Sequence, residues 1–88
     1  MNIYEVIDII EVEVRDGFKV RLVFADGTAG VLDLGTELRG PMLEPLRRDP
    51  ALFRAVKVED GTIVWPNGAD MAPDRLYQDV KAVSEAVA

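Results

Sequence analysis

Apolar and polar residues alternate along the first third of the chain. Val12, Val14, Phe18, Val20, Leu22 and Phe24 interleave with Glu13, Lys19 and Arg21, and Val23 is the one break in the pattern. A period of two is the mark of half-buried strands. Asp16-Gly17 and Asp26-Gly27 punctuate the run, so an antiparallel meander of about three strands is expected. A two-residue turn at Asp16-Gly17 would set Val14 opposite Lys19 and mix the two faces. A three-residue loop, Arg15-Asp16-Gly17, pairs Val14 with Phe18, Val12 with Val20 and Ile10 with Leu22, all on one face. The hydrophobic face decides register, and Gly17 would take the left-handed position. By the same reasoning, the loop Ala25-Asp26-Gly27 pairs Val20 with Leu32 and Phe18 with Leu34.

The middle of the chain, GTELRGPMLEPLRRDPALFRAV, loses this alternation. Gly35, Gly40, Pro41, Pro45 and Pro50 exclude one continuous helix. Asp49 followed by Pro50 reads as a helix start, with the carboxylate as cap and proline at the first helical position. Leu52, Phe53 and Val56 then supply a short apolar face. A second hairpin follows, in which a two-residue turn at Asp60-Gly61 sets Val58 opposite Ile63 and Val56 opposite Trp65. From Pro73, the residues Leu76, Tyr77, Val80, Val83 and Val87 recur at helical spacing. The expected fold is α+β: an antiparallel β-meander, a proline-broken connection with a short helix, a second β-hairpin and a C-terminal helix.

Length and composition narrow the function. Residues 1–88 are expected to form one domain, burying roughly 60–65% of the surface of the unfolded chain. That leaves little volume for a deep cleft. The apolar fraction of 49% and charged fraction of 30% are those of a globular protein. MNIYEV has neither the basic region nor the apolar core of a signal peptide, and no apolar run reaches the ~20 residues of a membrane helix. Cysteine is absent, so nothing argues for an oxidising compartment; the cytoplasm is the expected location and no membrane association is foreseen.

Missing residue types exclude much chemistry. The chain has no histidine or cysteine, and its one serine is Ser84. Triads built on serine or cysteine with histidine are excluded, and the usual zinc ligands are missing. No phosphate loop or dinucleotide fingerprint occurs, and the Asp-Gly pairs do not begin a calcium loop. No cofactor and no metal are expected, and the chain reads as non-enzymatic. Asp8 and Asp33 interrupt the apolar stretches YEVIDII and VLDL. Either could be a carboxylate with a raised pKa; the reading favoured here is structural, as edge guards or backbone acceptors.

Charge is unevenly spread. The chain carries −6, yet Leu38 to Val58 holds Arg39, Arg47, Arg48, Arg54 and Lys57 against Glu44 and Asp49. That segment is +3 and the flanks together −9. Direct binding of nucleic acid needs clustered cations to displace counterions, so it is not expected. A basic partner protein would be attracted instead.

The stretch WPNGAD, residues 65–70, concentrates special residue types. Pro66 biases Trp65 toward extended backbone, Asn67-Gly68 permits a sharp turn, and Pro73 suits the first turn of a helix. Asp70 is a candidate cap for that helix, and the Trp65 indole is expected over it near Tyr77. The stretch therefore reads as a corner fixing strand against helix, with a recognition surface as the alternative. Trp65, Asn67, Asp70, Arg47 and Arg48 are the candidate partner-binding residues.

Together, VRLVFADG, VLDL, GPMLEPLRRDPALFRAV and GTIVWPNGADMAPDRLY, spanning about Ile9 to Tyr77, resemble a small bacterial family of domains of unknown function with a WPNGAD signature. The resemblance implies a compact α+β domain and no established activity. Some members of that family carry a C-terminal helix-turn-helix. Others are encoded beside a second small protein, as in a toxin–antitoxin pair. With the chain ending soon after the signature, no DNA-binding extension is expected. The expected function is that of a small protein-binding module, the acidic antitoxin-like member of a two-gene pair, whose partner is the small protein from the adjacent gene. The alternatives are a small ligand binder or carboxylate-based enzyme with a site near Trp65, and a regulator reaching nucleic acid only through a partner.

Overall fold

The computed structural model describes residues 7–87, with side-chain surroundings as far as Val83. Tyr4 to Val6, and the side chains of Ser84 and Val87, lie outside the described residues. Strands β1 (Ile9–Val14), β2 (Lys19–Phe24) and β3 (Ala29–Asp33) form one antiparallel sheet in the order β1-β2-β3. A 3₁₀ turn (Gly35–Glu37) and helices α1 (Gly40–Arg48) and α2 (Pro50–Arg54) lead to a second antiparallel sheet. That sheet comprises β4 (Lys57–Glu59), β5 (Thr62–Val64) and β6 (Asp70–Met71), in the order β4-β5-β6. Helix α3 (Pro73–Val87) follows. The architecture is α+β, as the apolar pattern predicts.

Between β2 and β3 the expected register is found: Val20 faces Leu32, and the Leu34 amide donates to the Phe18 carbonyl at 2.9 Å. Between β1 and β2 it is not. Val14 faces Val20 rather than Phe18, and Val12 faces Leu22 rather than Val20. Phe18 leaves the strand to complete the turn, where its ring packs edge-on against Phe53 with centroids 5.2 Å apart. Gly17 still holds the left-handed conformation, at φ +62°. The register shift of two residues keeps Val12 and Val14 on the face of Val20 and Leu22.

A bulge between Ile9 and Glu11 changes the start of β1. Ile9 turns inward and is buried, whereas Ile10, expected opposite Leu22, is 54% exposed. A bulged residue has no counterpart on the facing strand and tilts the side-chain alternation there.

The second sheet is tied to the first at the β4–β5 turn. Its register sets Val58 opposite Ile63 as expected, with Asp60 at φ 52° and Gly61 at φ 80°. Two consecutive positive φ values make a type I′ turn, which glycine and aspartate tolerate best. The Ile9 amide donates to the Gly61 carbonyl at 2.8 Å. Asp8 closes over the same glycine: a Cβ at Gly61 would stand 2.5 Å from its Oδ1. Asp33 accepts from the Gly35 amide at 2.9 Å, so both carboxylates that interrupt apolar sequence sit against backbone at structural joints.

One cluster of buried residues joins both sheets and all three helices. It includes Ile9, Leu22, Phe24, Leu46, Phe53, Ile63, Trp65, Leu76 and Val80. Asp49 caps α2 as expected, accepting from the Ala51 and Leu52 amides at 3.1 and 3.3 Å. The prolines do break the connection, but α1 forms across Pro41 and Pro45. Pro41 lies in the first turn, where its missing N–H costs little, and Pro45 forfeits one intrahelical bond. No helix among the described residues is long and apolar enough to cross a membrane.

Candidate functional site

WPNGAD is a hairpin, and the strand it starts is one the sequence pattern does not announce. The Trp65 amide donates to the Ala69 carbonyl at 2.9 Å, and the Gly68 amide to the Trp65 carbonyl at 3.0 Å. Pro66, Asn67 and Gly68 form the loop, with Gly68 at φ +92°. A positive φ at the last position of a three-residue loop favours glycine. The chain then pairs Asp70 with Val64 and Met71 with Ile63 before α3 begins. The Thr62 hydroxyl donates to the Met71 carbonyl and pins the short strand.

Each residue of the hairpin has a different duty. Trp65 is 2% exposed. Its indole Nε1–H donates to the Phe53 carbonyl at 3.0 Å, and the two rings lie with centroids 6.1 Å apart. Its partner is thus α2 and not Tyr77. Tyr77 packs on Phe24 instead, centroids 5.1 Å apart, and its hydroxyl donates to Asp26 Oδ2 at 2.6 Å. With so little exposure, Trp65 offers no surface to a partner.

Asn67 works in two directions. Its Oδ1 accepts from the Ala69 amide at 3.1 Å, and its Nδ2 donates to the Met42 carbonyl of α1 at 2.9 Å. The Met42 methyl rests over the hairpin, 3.4 Å from where a Cβ on Gly68 would stand. Met42 is nonetheless 48% exposed, so a large apolar side chain stands partly in solvent on a backbone tied to the hairpin by Asn67.

Asp70, expected as a cap for the last helix, is a strand residue. Its backbone is paired with Val64, and the position before α3 is Ala72, whose carbonyl accepts from the Leu76 amide at 3.3 Å. The Asp70 side chain is exposed and makes no hydrogen bond or ion pair to another described residue. It rims a pocket of about 230 Å³ whose lining includes Leu43, Met71, Leu76, Glu37 and Arg75. Across that rim Arg75 Nη2 and Glu37 Oε1 are 2.6 Å apart.

Asn67 is therefore brought to Met42, and Asp70 to a pocket lined in part by Leu43, the residue after Met42. Arg47 and Arg48 are not, because they lie at the other end of α1. Arg47 lies five positions after Met42, roughly 7–8 Å along the axis. Both arginines are exposed, and Arg48 bridges Glu44 one turn earlier at 2.9 Å. The contributions of Met42, Leu43, Glu37, Arg75, Met71 and Leu76 are additions to the expected set. Glu37 and Arg75 meet across 38 residues of chain, a pairing with no local sequence signal.

Chemically, this face offers an apolar floor and carboxylates. Among the described residues, no group of three or more histidine, cysteine, aspartate or glutamate side chains is placed to hold a metal ion. The carboxyl with a clear perturbation is elsewhere: the Tyr77 hydroxyl, with help from the Thr28 amide, holds Asp26 below its ordinary value. A depressed carboxyl stays ionised at neutral pH, which suits a tether better than a proton-transfer role.

Residues 9–82 match the model of a family described as "Protein of unknown function (DUF2442)". No curated protein and no solved structure matches the chain.

Proposed function

The chain belongs to the DUF2442 family of proteins of unknown function, and we propose that it acts there as a small, non-enzymatic protein-binding module. The observation that carries the reading is the locked junction of α1 with the WPNGAD hairpin. Asn67 bonds the Met42 carbonyl at 2.9 Å, so the backbone of α1 is tied to the hairpin at Met42, and the next residue, Leu43, lines the same pocket as Asp70. An isolated exposed methionine is ordinary. One whose backbone is tied to a turn and whose methyl rests on that turn has part of the pre-organisation that lowers the entropic cost of docking. Methionine also adapts its shape to a partner surface.

Charge favours one kind of partner. With −6 on 88 residues, the chain attracts basic proteins and speeds their encounter. The module accordingly serves, in our reading, as the acidic antitoxin-like member of a two-gene pair in the cytoplasm, and its partner is the small basic protein from the adjacent gene. The test is co-expression of the two genes with a tag on this chain. A stoichiometric complex is expected, and Met42→Glu should abolish it without changing the thermal midpoint of the free module. Full complex formation by Met42→Glu, or no complex from the two wild-type chains, would refute the assignment.

A further inference from the structure

We infer that the pocket beside Asp70 receives a cationic side chain of the partner, an arginine or lysine whose aliphatic stem lies on the apolar floor and whose charge reaches Asp70. The inference rests on the protein-binding reading and specifies the chemistry of that face. Size comes first. At about 230 Å³ the pocket is below the roughly 300–1,000 Å³ of sites that enclose a drug-sized ligand, so it suits one side chain better than a free metabolite. Its floor is Leu43, Met71 and Leu76, of which Leu76 is buried and the others half-buried. Long basic side chains lay their methylenes along such surfaces while the charged head stays at the rim.

Electrostatics then selects the sign. Two carboxylates, Glu37 and Asp70, and one cation, Arg75, stand on the rim. Arg75 is committed to Glu37 at 2.6 Å, which leaves Asp70 as the unmatched charge. The start of α3 contributes about half a positive charge, but Asp74 in its first turn offsets that. The balance at the pocket mouth is negative, so an anion is repelled and a cation drawn in. The whole-chain charge of −6 acts in the same direction and the +3 of Leu38 to Val58, which includes the α1 wall, opposes it, so the selection rests on Asp70 at the rim.

N-Acetyl-arginine amide and N-acetyl-lysine amide are suitable probes, with N-acetyl-norleucine amide as a control of similar stem and no charge. In a ¹H–¹⁵N NMR titration, the cationic probes should shift the amides of Asp70, Met71, Arg75 and Leu76, with saturation in the millimolar range expected of a single side chain. The control should not, and Asp70→Asn should weaken the cationic probes several-fold with the spectrum otherwise intact. Equal binding of the norleucine probe, shifts elsewhere on the surface, or an Asp70→Asn variant that binds as well as wild type would overturn the inference. The complex with the neighbouring gene product separates the two readings. A complex broken by Met42→Glu but indifferent to Asp70→Asn overturns the pocket assignment and leaves the docking face standing. If no complex forms, the docking reading fails, and the probe titration still decides the pocket.

Discussion

Replacing Trp65 by alanine should remove a large share of this protein's stability. The side chain is 2% exposed and lies against Phe53, itself buried. A buried aromatic withdraws about 150–250 Å² from water, which at about 25 cal/mol per Å² corresponds to ~4–6 kcal/mol. Measured truncations of this kind cost about 3–5 kcal/mol once partial collapse of the cavity is included. The lost indole hydrogen bond belongs within that range, because the Phe53 carbonyl keeps a second donor in the Val56 amide at 3.3 Å. At roughly 0.05–0.15 kcal/mol per residue, a chain of 88 residues has a total stability of about 4–13 kcal/mol. The loss is therefore a large share of the whole.

Urea denaturation followed by far-ultraviolet circular dichroism reads the effect, since the variant lacks the chain's one tryptophan. With a slope near ~1 kcal/mol per molar urea, the midpoint should fall by ~3–5 M. Trp65→Phe keeps an aromatic ring at the site but removes the N–H and part of the buried volume, and its expected cost of about 1–3 kcal/mol lies below that of alanine. In the wild type, Trp65 emission should be blue-shifted and should move red on unfolding. An alanine variant with an unmoved midpoint, or a phenylalanine variant as damaged as alanine, would refute the buried-anchor account.

Gly30→Ala puts a Cβ 3.0 Å from Val80 Cγ1, in the joint between β3 and α3. The overpacking cost of ~1–3 kcal/mol exceeds the ~0.4–1 kcal/mol gained from a stiffer unfolded chain, so chemical denaturation should show a net loss of about 1 kcal/mol; a stabilised variant would mean that α3 rides loosely on the sheet. Asp49→Ala removes the cap of α2 and should lower stability by ~1 kcal/mol, measured by thermal melting, with no change in the mutant refuting the capping bonds. Tyr77→Phe tests the tether to Asp26. Because the folded-state carboxyl is held below its usual value of 3.8, its contribution is present above that pH and is lost as pH falls through the folded value. The variant should therefore have a lower melting temperature at neutral pH and a shallower decline below about pH 4, whereas parallel wild-type and variant profiles would exclude the linkage.

Local rules carried much of this fold. Asp26-Gly27 and Asp60-Gly61 sit in turns whose registers follow from keeping valine, leucine and isoleucine on one face. Asp49-Pro50 starts a helix for reasons contained in two residues, and the spacing of Leu76, Tyr77 and Val80 specifies α3. The failures involve distant partners. Phe18 fits the alternation of β2, yet Phe53, far along the chain, draws it into the turn. Ile9 and Ile10 are chemically the same, and only the bulge determines which is buried. Strand β6 has two residues and no strand signal of its own; the WPNGAD loop delivers it to β5. Helix α1 is obscured by Gly40 and Pro41, which its first turn accommodates, and by Pro45, which it carries in its interior. The candidate face follows the same division, since Asn67 and Asp70 stand out as residue types whereas Met42, Glu37 and Arg75 acquire meaning only through contacts with distant segments.

WPNGAD poses a choice between a corner and a recognition surface, and the directions of its side chains divide the stretch into two parts. Trp65 and Ala69 point into the core, and Asn67 spends both ends of its amide on backbone, one within the loop and one on α1. The Asp70 side chain is turned outward and makes no polar contact among the described residues. The structural duties therefore fall on the first part of the stretch and the available charge on its last residue. The two can be separated experimentally, because loss of Trp65 damages the fold and every property that depends on it, whereas loss of the Asp70 charge leaves the core untouched. A binding defect in Asp70→Asn without a stability defect would locate recognition at the hairpin's rim. The same defect in Trp65→Ala would carry no such information, since the surface held by that ring is lost along with it.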